Sequence, residues 1–554
     1  MTHTNDWSST EGLAIIKHIV SRCIPQWPDG LREWQLDAIS TILNRQSLFA
    51  IAATGEGKSA LYIIPVLVHL ELSQHPDSYP SFRTPIPSRS HPVVLVITPT
   101  KALATNLIHE LEQFNIPGFS YCHENITVYR KDKTNLESLI CECKTWNIIC
   151  VDPEHLAGPE WSQIIQDSTF RSNLILFTVD EAHLILSWGP KFRPYFETIG
   201  SFARGCIPEH TPVLSLTATS AVGASTTAIC QSLGMLGSSY RLIRRSNERP
   251  NIQIAITPLN KVRGLSKYTC LLDYLRQGRK TVIHTNTIPE AYAIYEFLWD
   301  FIPESFNRLR RMRMYHSLCP DDYNRETFNL LDSDPYLQLV IATPGFTQGV
   351  NRKKLLDSIS FGFPSTLNDF WQGCGCVGRD PNTICRGIAL VSTKLLNSAE
   401  EIIKGLMPVS THFVRLLKTI INKAHNDPNY ILNTKSSKKN ASPKKDSTTD
   451  TISVEKASFL TESVCYASNL NVYYGNPPVD SQVLDCFHAN RMVYCGLCTE
   501  RYGKVYEFLP PESSPALTWL PTPPPLKKTP NPRKSKNNLG KKEKESMRMW
   551  LLDF

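Results

Sequence analysis

Short apolar runs alternate with stretches of helical periodicity along most of the chain. The runs are apolar on both faces, which is typical of strands that helices cover on both sides. In chain order they read PVVLVIT, NIIC, LILFTVD, VLSLTAT, KTVIHTN and LQLVIAT. This alternation predicts an α/β fold built from βαβ units around two parallel sheets, and the change from one sheet to the other is expected near Arg245–Asn260.

Composition is consistent with this fold. The 554 residues are 41% hydrophobic and 20% charged, the balance of a globular protein with two or three domains. No apolar run is long enough to span a bilayer and no signal segment is evident at the N-terminus, so we expect an intracellular protein with no membrane partner. Many of the 16 cysteines lie singly in apolar runs, which favours reduced core thiols over disulfides.

The formal net charge of +8 favours an acidic partner only weakly, because part of it lies in two lysine-rich segments. Asn433–Asp450 has almost no apolar residues, and we interpret it as a disordered linker. The tail from Pro510 is rich in proline and then in lysine. It is either a solvated tail or an arm for nuclear import or DNA contact, and we expect the protein in the nucleus.

The stretch AATGEGKSALY has the form of a phosphate-binding loop between a strand and a helix. Backbone N–H groups around Thr54, Gly55 and Gly57 would face a phosphate at a helix N-terminus. Lys58 would supply charge to the β- and γ-phosphates, and the Ser59 hydroxyl would bind Mg²⁺. The full pattern begins with glycine where this chain has alanine, so a chance match is the alternative.

A second motif, LILFTVDEAHLI, is an apolar strand that ends in two carboxylates. Asp180 can hold Mg²⁺ beside Ser59, and Glu181 can polarise the water that attacks the γ-phosphate. His183 lies two residues further on and can report the state of the site. The carboxyl end of a strand is where open α/β sheets bind ligands, so the two motifs together predict an ATP site.

With these motifs the chain resembles the superfamily 2 helicases, whose nucleotide motif has alanine at that first position. LREWQLDAI resembles the segment that contacts adenine, which implies that Arg32 and Gln35 bind nucleotide. ITPTKALATN and VDPEHL resemble segments that grip a nucleic-acid strand, and LSLTATS resembles the coupling motif. VIATPGFTQGVN resembles the motif of the second domain that touches nucleotide and strand. The resemblance implies strand contacts for Thr98 and Thr343.

A more specific resemblance, to the RecQ DNA helicases, covers roughly residues 10–395. SWGPKFRPYF is similar to the aromatic-rich loop that couples strand binding to ATP hydrolysis in these enzymes, with Trp188, Phe192 and Arg193 at the matching positions. Aromatic rings stack on bases without reading sequence, and an arginine adds phosphate contacts. A core-packing loop is the alternative. SNERPNI and YHSLCPDDYNRE also resemble RecQ segments.

The stretch WQGCGCVGRD keeps the register of the final RecQ motif at Gln372, Gly375, Gly378, Arg379 and Asp380. Cys376 stands where the resemblance implies the first of two arginines, so we interpret the stretch as an altered arginine-finger motif. Arg379 would still reach the γ-phosphate. An arginine restored at position 376 is expected on the closing face of the second domain, where it would raise turnover. A metal site formed by the two nearby cysteines is the alternative.

Four cysteines near the C-terminus, Cys465, Cys486, Cys495 and Cys498, resemble the RecQ zinc-binding module. A CxxC pair suits tetrahedral zinc, but the third interval is longer than in the family, so His488 could replace Cys486. Free thiols are the other alternative. Few residues other than the tail follow this cluster, and we therefore expect a RecQ-type protein truncated at its C-terminal side.

The resemblance implies two tandem RecA-like domains and a small zinc-binding region. We expect a helicase ATP-binding domain in 1–250, a second helicase domain in 251–395, a helical extension in 396–432, a linker in 433–452, the zinc-binding region in 453–509 and a disordered tail in 510–554.

The expected activity is ATP-dependent DNA unwinding with 3′-to-5′ movement, in DNA repair and recombination. ATP, Mg²⁺ and zinc are the expected cofactors, and single-stranded DNA and duplex junctions the expected partners. The sequence does not name a protein partner. Two alternatives stay open, an RNA helicase with the same motor and a nucleic-acid binding protein whose ATPase has decayed.

Overall fold

The computed structural model describes residues 6–79, 87–188, 193–259, 265–302, 308–347, 354–405 and 452–510. They form two compact units. The first contains the described residues up to Asn247 together with Asn471–Gln482, and the second contains the other described residues from Glu248 onward. No helix in these ranges is long and apolar enough to cross a membrane.

Seven strands form the sheet of the first unit: β1 (Ser47–Ile51), β2 (Val93–Ile97), β3 (Gly118–Tyr121), β4 (Ile148–Val151), β5 (Leu174–Val179), β6 (Val213–Thr217) and β7 (Tyr240–Arg244). All neighbouring strands are parallel, in the order β3-β4-β2-β5-β6-β1-β7. Only β6 lies between β1 and β5. The loops that follow β1 and β5 therefore lie near each other at the carboxyl edge of the sheet.

Helices cover both faces of this sheet, so alternate residues of β1 pack into different cores. Leu48 and Ala50 lie in one core and Phe49 and Ile51 in the other. The helices are α1 (Thr10–Cys23), α2 (Glu33–Leu43), α3 (Ala60–Gln74), α4 (Lys101–Glu112), α5 (His123–Lys131), α6 (Leu136–Cys141), α7 (Pro153–Leu156), α8 (Pro159–Ile164), α9 (Ser168–Asn173), α10 (Leu184–Ser187), α11 (Tyr195–Gly205) and α12 (Ala224–Ser232).

The second unit has six parallel strands: β8 (Ile252–Leu259), β9 (Thr281–Thr285), β10 (Met312–Tyr315), β11 (Leu339–Ala342), β12 (Asp357–Phe361) and β13 (Cys385–Ser392). Their order is β10-β11-β9-β12-β13-β8. Val282 and Ile283 of β9 pack into separate cores, so this sheet is also covered on both faces. The predicted α/β class with two parallel sheets is confirmed.

Helices of the second unit follow the same alternation: α13 (Leu272–Arg276), α14 (Ile288–Trp299), α15 (Arg308–Arg311), α16 (Asp321–Ser333) and α17 (Leu367–Cys374). Thr366 caps α17 by accepting a hydrogen bond from the Asp369 N–H. Residues 393–405 are helical, and α18 (Val454–Leu460), α19 (Tyr466–Tyr474) and α20 (Gly496–Tyr502) come later in the chain. The predicted linker and lysine-rich tail lie almost entirely outside the described residues.

Candidate functional site

The loop between β1 and α3 is shaped by two glycines with left-handed backbone torsions. Gly55 has a φ of 88° and Gly57 a φ of 72°, values that side-chain-bearing residues rarely adopt. Lys58, at the end of the loop, donates from Nζ to two carbonyl oxygens of the loop at 3.0 and 3.2 Å. Its ammonium group therefore lies against the loop that the sequence predicts to hold phosphate.

Gln35 packs directly on this loop. Its Nε2 donates to the carbonyl oxygens of Glu56 and Gly57 at 3.3 and 2.9 Å, and its Oε1 accepts the Arg32 N–H at 2.9 Å. The Arg32 guanidinium pairs with the Glu56 carboxylate at 2.6 Å. A Cβ on Gly57 would lie 2.6 Å from Gln35 Nε2, so only glycine fits there without displacing that side chain. The structure thus brings the two predicted nucleotide-binding segments together.

The two carboxylates of the second motif follow β5 at the carboxyl edge. Asp180 accepts the backbone N–H of Glu181 at 2.9 Å. Burial, followed by the neighbouring charge of Glu181, raises the pKa of the Asp180 carboxyl to about 7, while the charge of Lys58 lowers it. Lys58 and Asp180 are therefore close enough to interact electrostatically, as an ATP site requires.

His183 connects the acidic pair to the next motif. Its Nδ1 lies 3.3 Å from Glu181 Oε2 and 2.9 Å from Thr217 Oγ1. Thr217 is the last residue of β6 and belongs to the segment LSLTATS, which the sequence predicts to couple the nucleotide to the strand. A movement of the Glu181 side chain can therefore be transmitted to β6 through the imidazole ring of His183.

Sequence reasoning missed Glu110, which lies on α4 beside the loop. Ser59 Oγ donates to Glu110 Oε1 at 3.3 Å, and burial raises the pKa of the Glu110 carboxyl. A hydroxyl that donates a hydrogen bond to a carboxylate keeps its lone pairs for a cation. Ser59 and Asp180 are oxygen donors of the kind that Mg²⁺ prefers, so this set fits the ion. A glutamate on an amphipathic helix carries no local signal of such a role.

Arg193 joins three segments that the sequence predicts to grip a nucleic-acid strand. Its Nε donates to Glu154 Oε1 at 2.6 Å, and its Nη1 donates to the carbonyl oxygen of Pro99. The guanidinium carbon lies 5.9 Å from the centre of the Trp188 ring and 5.3 Å from that of Phe196. Trp188 itself packs edge-on against Phe196. The predicted partner Phe192 lies outside the described residues.

Two threonines were predicted to contact the strand, and the structure places them differently. Thr98 is completely buried at the end of β2, where its backbone N–H donates to the Val151 carbonyl oxygen. Its side chain does not reach the surface in this structure, and its strand contact stays a prediction. Thr343 is half-buried at the end of β11, where its N–H donates to the Tyr315 carbonyl oxygen, and its strand contact stays a prediction.

In the second unit, Arg379 lies half-buried in a loop after α17 that two side chains preceding β8 hold in place. Asn251 Nδ2 donates to the carbonyl oxygens of Gly378, Asp380 and Thr383 at 2.9, 3.0 and 3.1 Å. Arg249 donates from Nη2 to the Val377 carbonyl oxygen at 2.9 Å. We name this loop, residues 375–383, the finger loop. The two residues that anchor it lie in the segment SNERPNI, which was predicted to matter only because it resembles a RecQ segment.

Cys376 does not lie where the sequence predicts. Its side chain is 2% exposed and packs with Ile252, Phe328 and Val377 in an apolar core. Burial raises the pKa of the Cys376 thiol to about 12. The expectation that an arginine here would face the nucleotide is corrected, because the Cys376 side chain turns back into the core and its thiol lies 3.6 Å from the Gln372 carbonyl oxygen.

The four C-terminal cysteines converge in the second unit. Their sulfur atoms all lie within 4.8 Å of one another, and all four residues are buried. Cys465 Sγ is 3.6 Å from Cys486 Sγ and 3.8 Å from Cys495 Sγ. Tetrahedral zinc with Zn–S bonds of about 2.3 Å separates its sulfur ligands by about 3.8 Å, so the set fits the ion.

His488 is not part of this cysteine cluster. Its side chain is 61% exposed, and its Nδ1 contacts Asp485 Oδ1 at 2.8 Å. Cys486 is therefore the fourth member, which settles the alternative left open by the spacing. Among the described residues no other group of three or more His, Cys, Asp or Glu could hold a metal, so Cys374 and Cys376 form no such site.

Comparison with known proteins agrees with these motifs. Residues 32–226 match the family model described as DEAD/DEAH box helicase. The chain is 24% identical over 349 residues to the ATP-dependent DNA helicase RecQ of Pasteurella multocida, covering 63% of this chain and 48% of the relative. It is 25% identical over 354 residues to RecQ of Bacillus subtilis, covering 63% of this chain and 52% of the relative. The chain thus spans about half the length of these relatives.

The crystal structure of the DUF1998 helicase MrfA bound to DNA is similar to this fold. The TM-score is 0.50 at 18% identity, and the alignment covers 68% of this chain and 50% of that one. This likeness confirms the expected helicase fold with two RecA-like sheets. The family match and the relatives confirm the predicted resemblance to RecQ-type superfamily 2 helicases.

Proposed function

We propose that this protein is an ATP-dependent DNA helicase of RecQ type that moves 3′ to 5′ along single-stranded DNA and separates duplexes. One arrangement in the first unit carries the proposal. The phosphate loop, the acidic pair and the start and end of the aromatic-rich loop all lie at the carboxyl edge of the sheet. Relatives named as DNA helicases support DNA as the substrate class.

The ATP chemistry is assigned to residues of the first unit. Lys58 binds the β- and γ-phosphates, Glu181 orients the attacking water and accepts its proton, and Gln35 with Arg32 holds the adenine side of the loop. Ser59 and Asp180 would hold Mg²⁺, which supplies positive charge for the phosphate oxygens. Glu110 orients the Ser59 hydroxyl by accepting a hydrogen bond from it.

Coupling to DNA is assigned to two residues that follow the acidic pair in the chain. His183 links Glu181 to Thr217, and Arg193 links the aromatic-rich loop to Glu154 and Pro99. A strand that displaces Arg193 or stacks on Trp188 would pull on the chain segment that directly follows the carboxylates. This short connection gives DNA a route to change the rate of hydrolysis.

Further proposals concern the zinc ion, the location in the cell and the cellular role. We propose that the four cysteines bind one structural zinc ion. We also propose a nuclear location, action at junctions of single-stranded and duplex DNA, and roles in repair and recombination. These rest on the resemblance and on the lysine-rich segments.

A nucleic-acid binding protein with a weakened ATPase is the second candidate. It rests on the identity of residue 376, a cysteine, which leaves the final motif with one arginine, Arg379, and the relatives named as ATP-dependent helicases do not favour it. An RNA helicase with the same motor is less favoured, because the aromatic-rich loop resembles that of RecQ DNA helicases.

Hydrolysis and strand separation by the purified chain test the proposal. ATP turnover is measured alone, with single-stranded DNA and with RNA of the same sequence, and unwinding is measured on duplexes with a 3′ or a 5′ overhang. We expect DNA to stimulate turnover more than RNA does, and only the 3′ overhang to support unwinding. DNA binding without hydrolysis would establish the second candidate, and stronger stimulation by RNA would establish the RNA helicase.

A further inference from the structure

A small pocket, open to solvent on one side, lies at the opposite edge of the first sheet from the ATP site. Its lining comes from chain segments at the starts of adjacent strands. Arg45 precedes β1, Arg89 precedes β2, Leu174 begins β5 and His210 precedes β6. A five-residue parallel strand is about 17 Å long, so the sheet separates this pocket from the loops at its carboxyl edge.

The polar lining of the pocket is entirely basic. Two arginines and two histidines face apolar residues, and the lining contains no aspartate or glutamate. Neither Arg45 nor Arg89 forms an ion pair within the part of the chain that the structure describes. Burial and then the charge of Arg89 lower the pKa of Arg45, and burial and then the charge of Arg45 lower that of His210. The basic groups therefore repel one another.

His69, on α3, adds a neutral hydrogen-bond donor to the pocket. Its Nδ1 accepts the backbone N–H of Arg89 at 3.1 Å. Burial lowers the pKa of His69 to about 4, so the ring is neutral at pH 7 and its proton resides on Nε2. Guanidinium groups are strong, charged donors to phosphate oxygens, and a neutral N–H can add a further, weaker hydrogen bond.

We propose that this pocket binds a small tetrahedral oxyanion of the phosphate class, either inorganic phosphate or a phosphomonoester. A bound dianion would neutralise the mutual repulsion of Arg45 and Arg89 and accept hydrogen bonds from their guanidiniums and from His69. Apolar residues such as Ile42 and Leu174 form the remaining wall, against which an organic group on the phosphate would lie. The proposal does not depend on helicase activity.

Thermal unfolding tests the pocket, with Lys58→Ala as the starting protein because this change weakens anion binding at the ATP loop. Inorganic phosphate is compared with chloride at equal ionic strength. At phosphate concentrations about ten times the dissociation constant, we expect the unfolding midpoint to rise by about 3 °C. Adding Arg45→Gln and Arg89→Gln should abolish the rise. Without phosphate, the same pair should leave the midpoint unchanged or higher, because it removes like-charge repulsion.

Lys131→Gln with Lys133→Gln is the matched control, since both lysines are exposed in the first unit and the charge change is the same. This control should keep the full phosphate effect. Arg89→Gln alone serves as a second variant should the pair impair folding, and it should reduce the rise at least twofold. An equal rise in all variants would overturn the proposal, and so would a pocket-dependent rise with single-stranded DNA but none with phosphate.

Discussion

The side-chain amide of Asn251 donates to the carbonyl oxygen of Gly378 at 2.9 Å and so fixes the finger loop that carries Arg379. Gly378 has a φ of 64°, and a Cβ there would lie 2.8 Å from Asn251 Nδ2. The close approach therefore depends on glycine at one position and on an amide at the other. Because Asn251 is 2% exposed, water cannot replace its donors without a rearrangement of the loop.

Replacing Asn251 with alanine should release the finger loop. Three carbonyl oxygens of the loop each lose one hydrogen bond while keeping another donor, which we expect to cost about 1–3 kcal/mol of stability in this unit. Amide hydrogen exchange in residues 375–383 should become faster, and kcat for ATP should fall about tenfold with little change in KM, because Lys58 and Gln35 are untouched. Exchange mass spectrometry and steady-state kinetics measure the two effects.

Asn382→Ala is the control for Asn251, because this asparagine lies in the same loop with an exposed side chain. It should behave like the unmodified protein. In an Arg379→Ala background, Asn251→Ala should cause no further loss of turnover, since it acts through Arg379. Independent losses that multiply would show that Asn251 does not act by positioning Arg379.

Mutations of Lys58 and Glu181 should separate nucleotide binding from ATP hydrolysis. Lys58→Ala should abolish hydrolysis and weaken nucleotide binding, because it removes the charge that meets the phosphates. Glu181→Gln should keep binding and stop turnover, since Asp180 and Ser59 remain to hold Mg²⁺. Fluorescent-nucleotide titration and phosphate release measure these effects, with the exposed Lys17→Ala as control. Hydrolysis at the unmodified rate by Lys58→Ala would contradict the assignment of the site.

Arg193→Ala should uncouple DNA binding from hydrolysis. The change removes the links to Glu154 and Pro99, so we expect stimulation by single-stranded DNA to fall about tenfold while the basal rate changes little. Trp188→Ala should act in the same direction through lost base stacking, worth about 1–3 kcal/mol per base. The control Arg204→Ala changes an exposed arginine of the same unit. Unchanged stimulation in both variants would mean that the loop serves packing alone.

The cysteine cluster should hold about one zinc ion per chain. Cys495→Ala should lose the metal and destabilise the region around α20, because three thiols cannot complete a tetrahedral site. Elemental analysis of protein purified without chelator measures the metal content. Cys270→Ala, a change in the same unit outside the cluster, should retain it. Protein with a full metal content after Cys495→Ala would exclude the four-thiol set.

The sequence predicted the strands and the two nucleotide motifs because these are local patterns. Apolar runs mark strands covered on both faces, and a glycine turn followed by lysine and serine marks a phosphate loop within a few residues. The contacts that sequence reasoning missed join distant positions. Ser59 and Glu110 are 51 residues apart, and Asn251 and Gly378 are 127 apart. Neither pair leaves a periodic signal, because each depends on how separate βαβ units pack.

The direction in which a side chain points was the other property that the spacing of residues in a motif did not determine. The register of the final motif placed Cys376 in the position of a family arginine, but register does not say which way a side chain points after a helix ends. Thr98 illustrates the same limit, since its motif is at the expected strand end while its side chain faces the sheet interior. In both cases, packing against the core decides the direction of the side chain.

Cys376→Arg should therefore destabilise the protein and not increase its turnover. A guanidinium placed among Ile252, Phe328 and Val377 would be buried without a carboxylate, a situation that costs about 3–5 kcal/mol. We expect a lower thermal midpoint than for Cys376→Ala, which only removes the sulfur, and no gain in DNA-stimulated ATP turnover. Differential scanning fluorimetry and phosphate-release kinetics measure the two variants side by side. A Cys376→Arg protein as stable as the unmodified chain and faster in turnover would show that the finger loop rotates in solution to bring position 376 to the nucleotide.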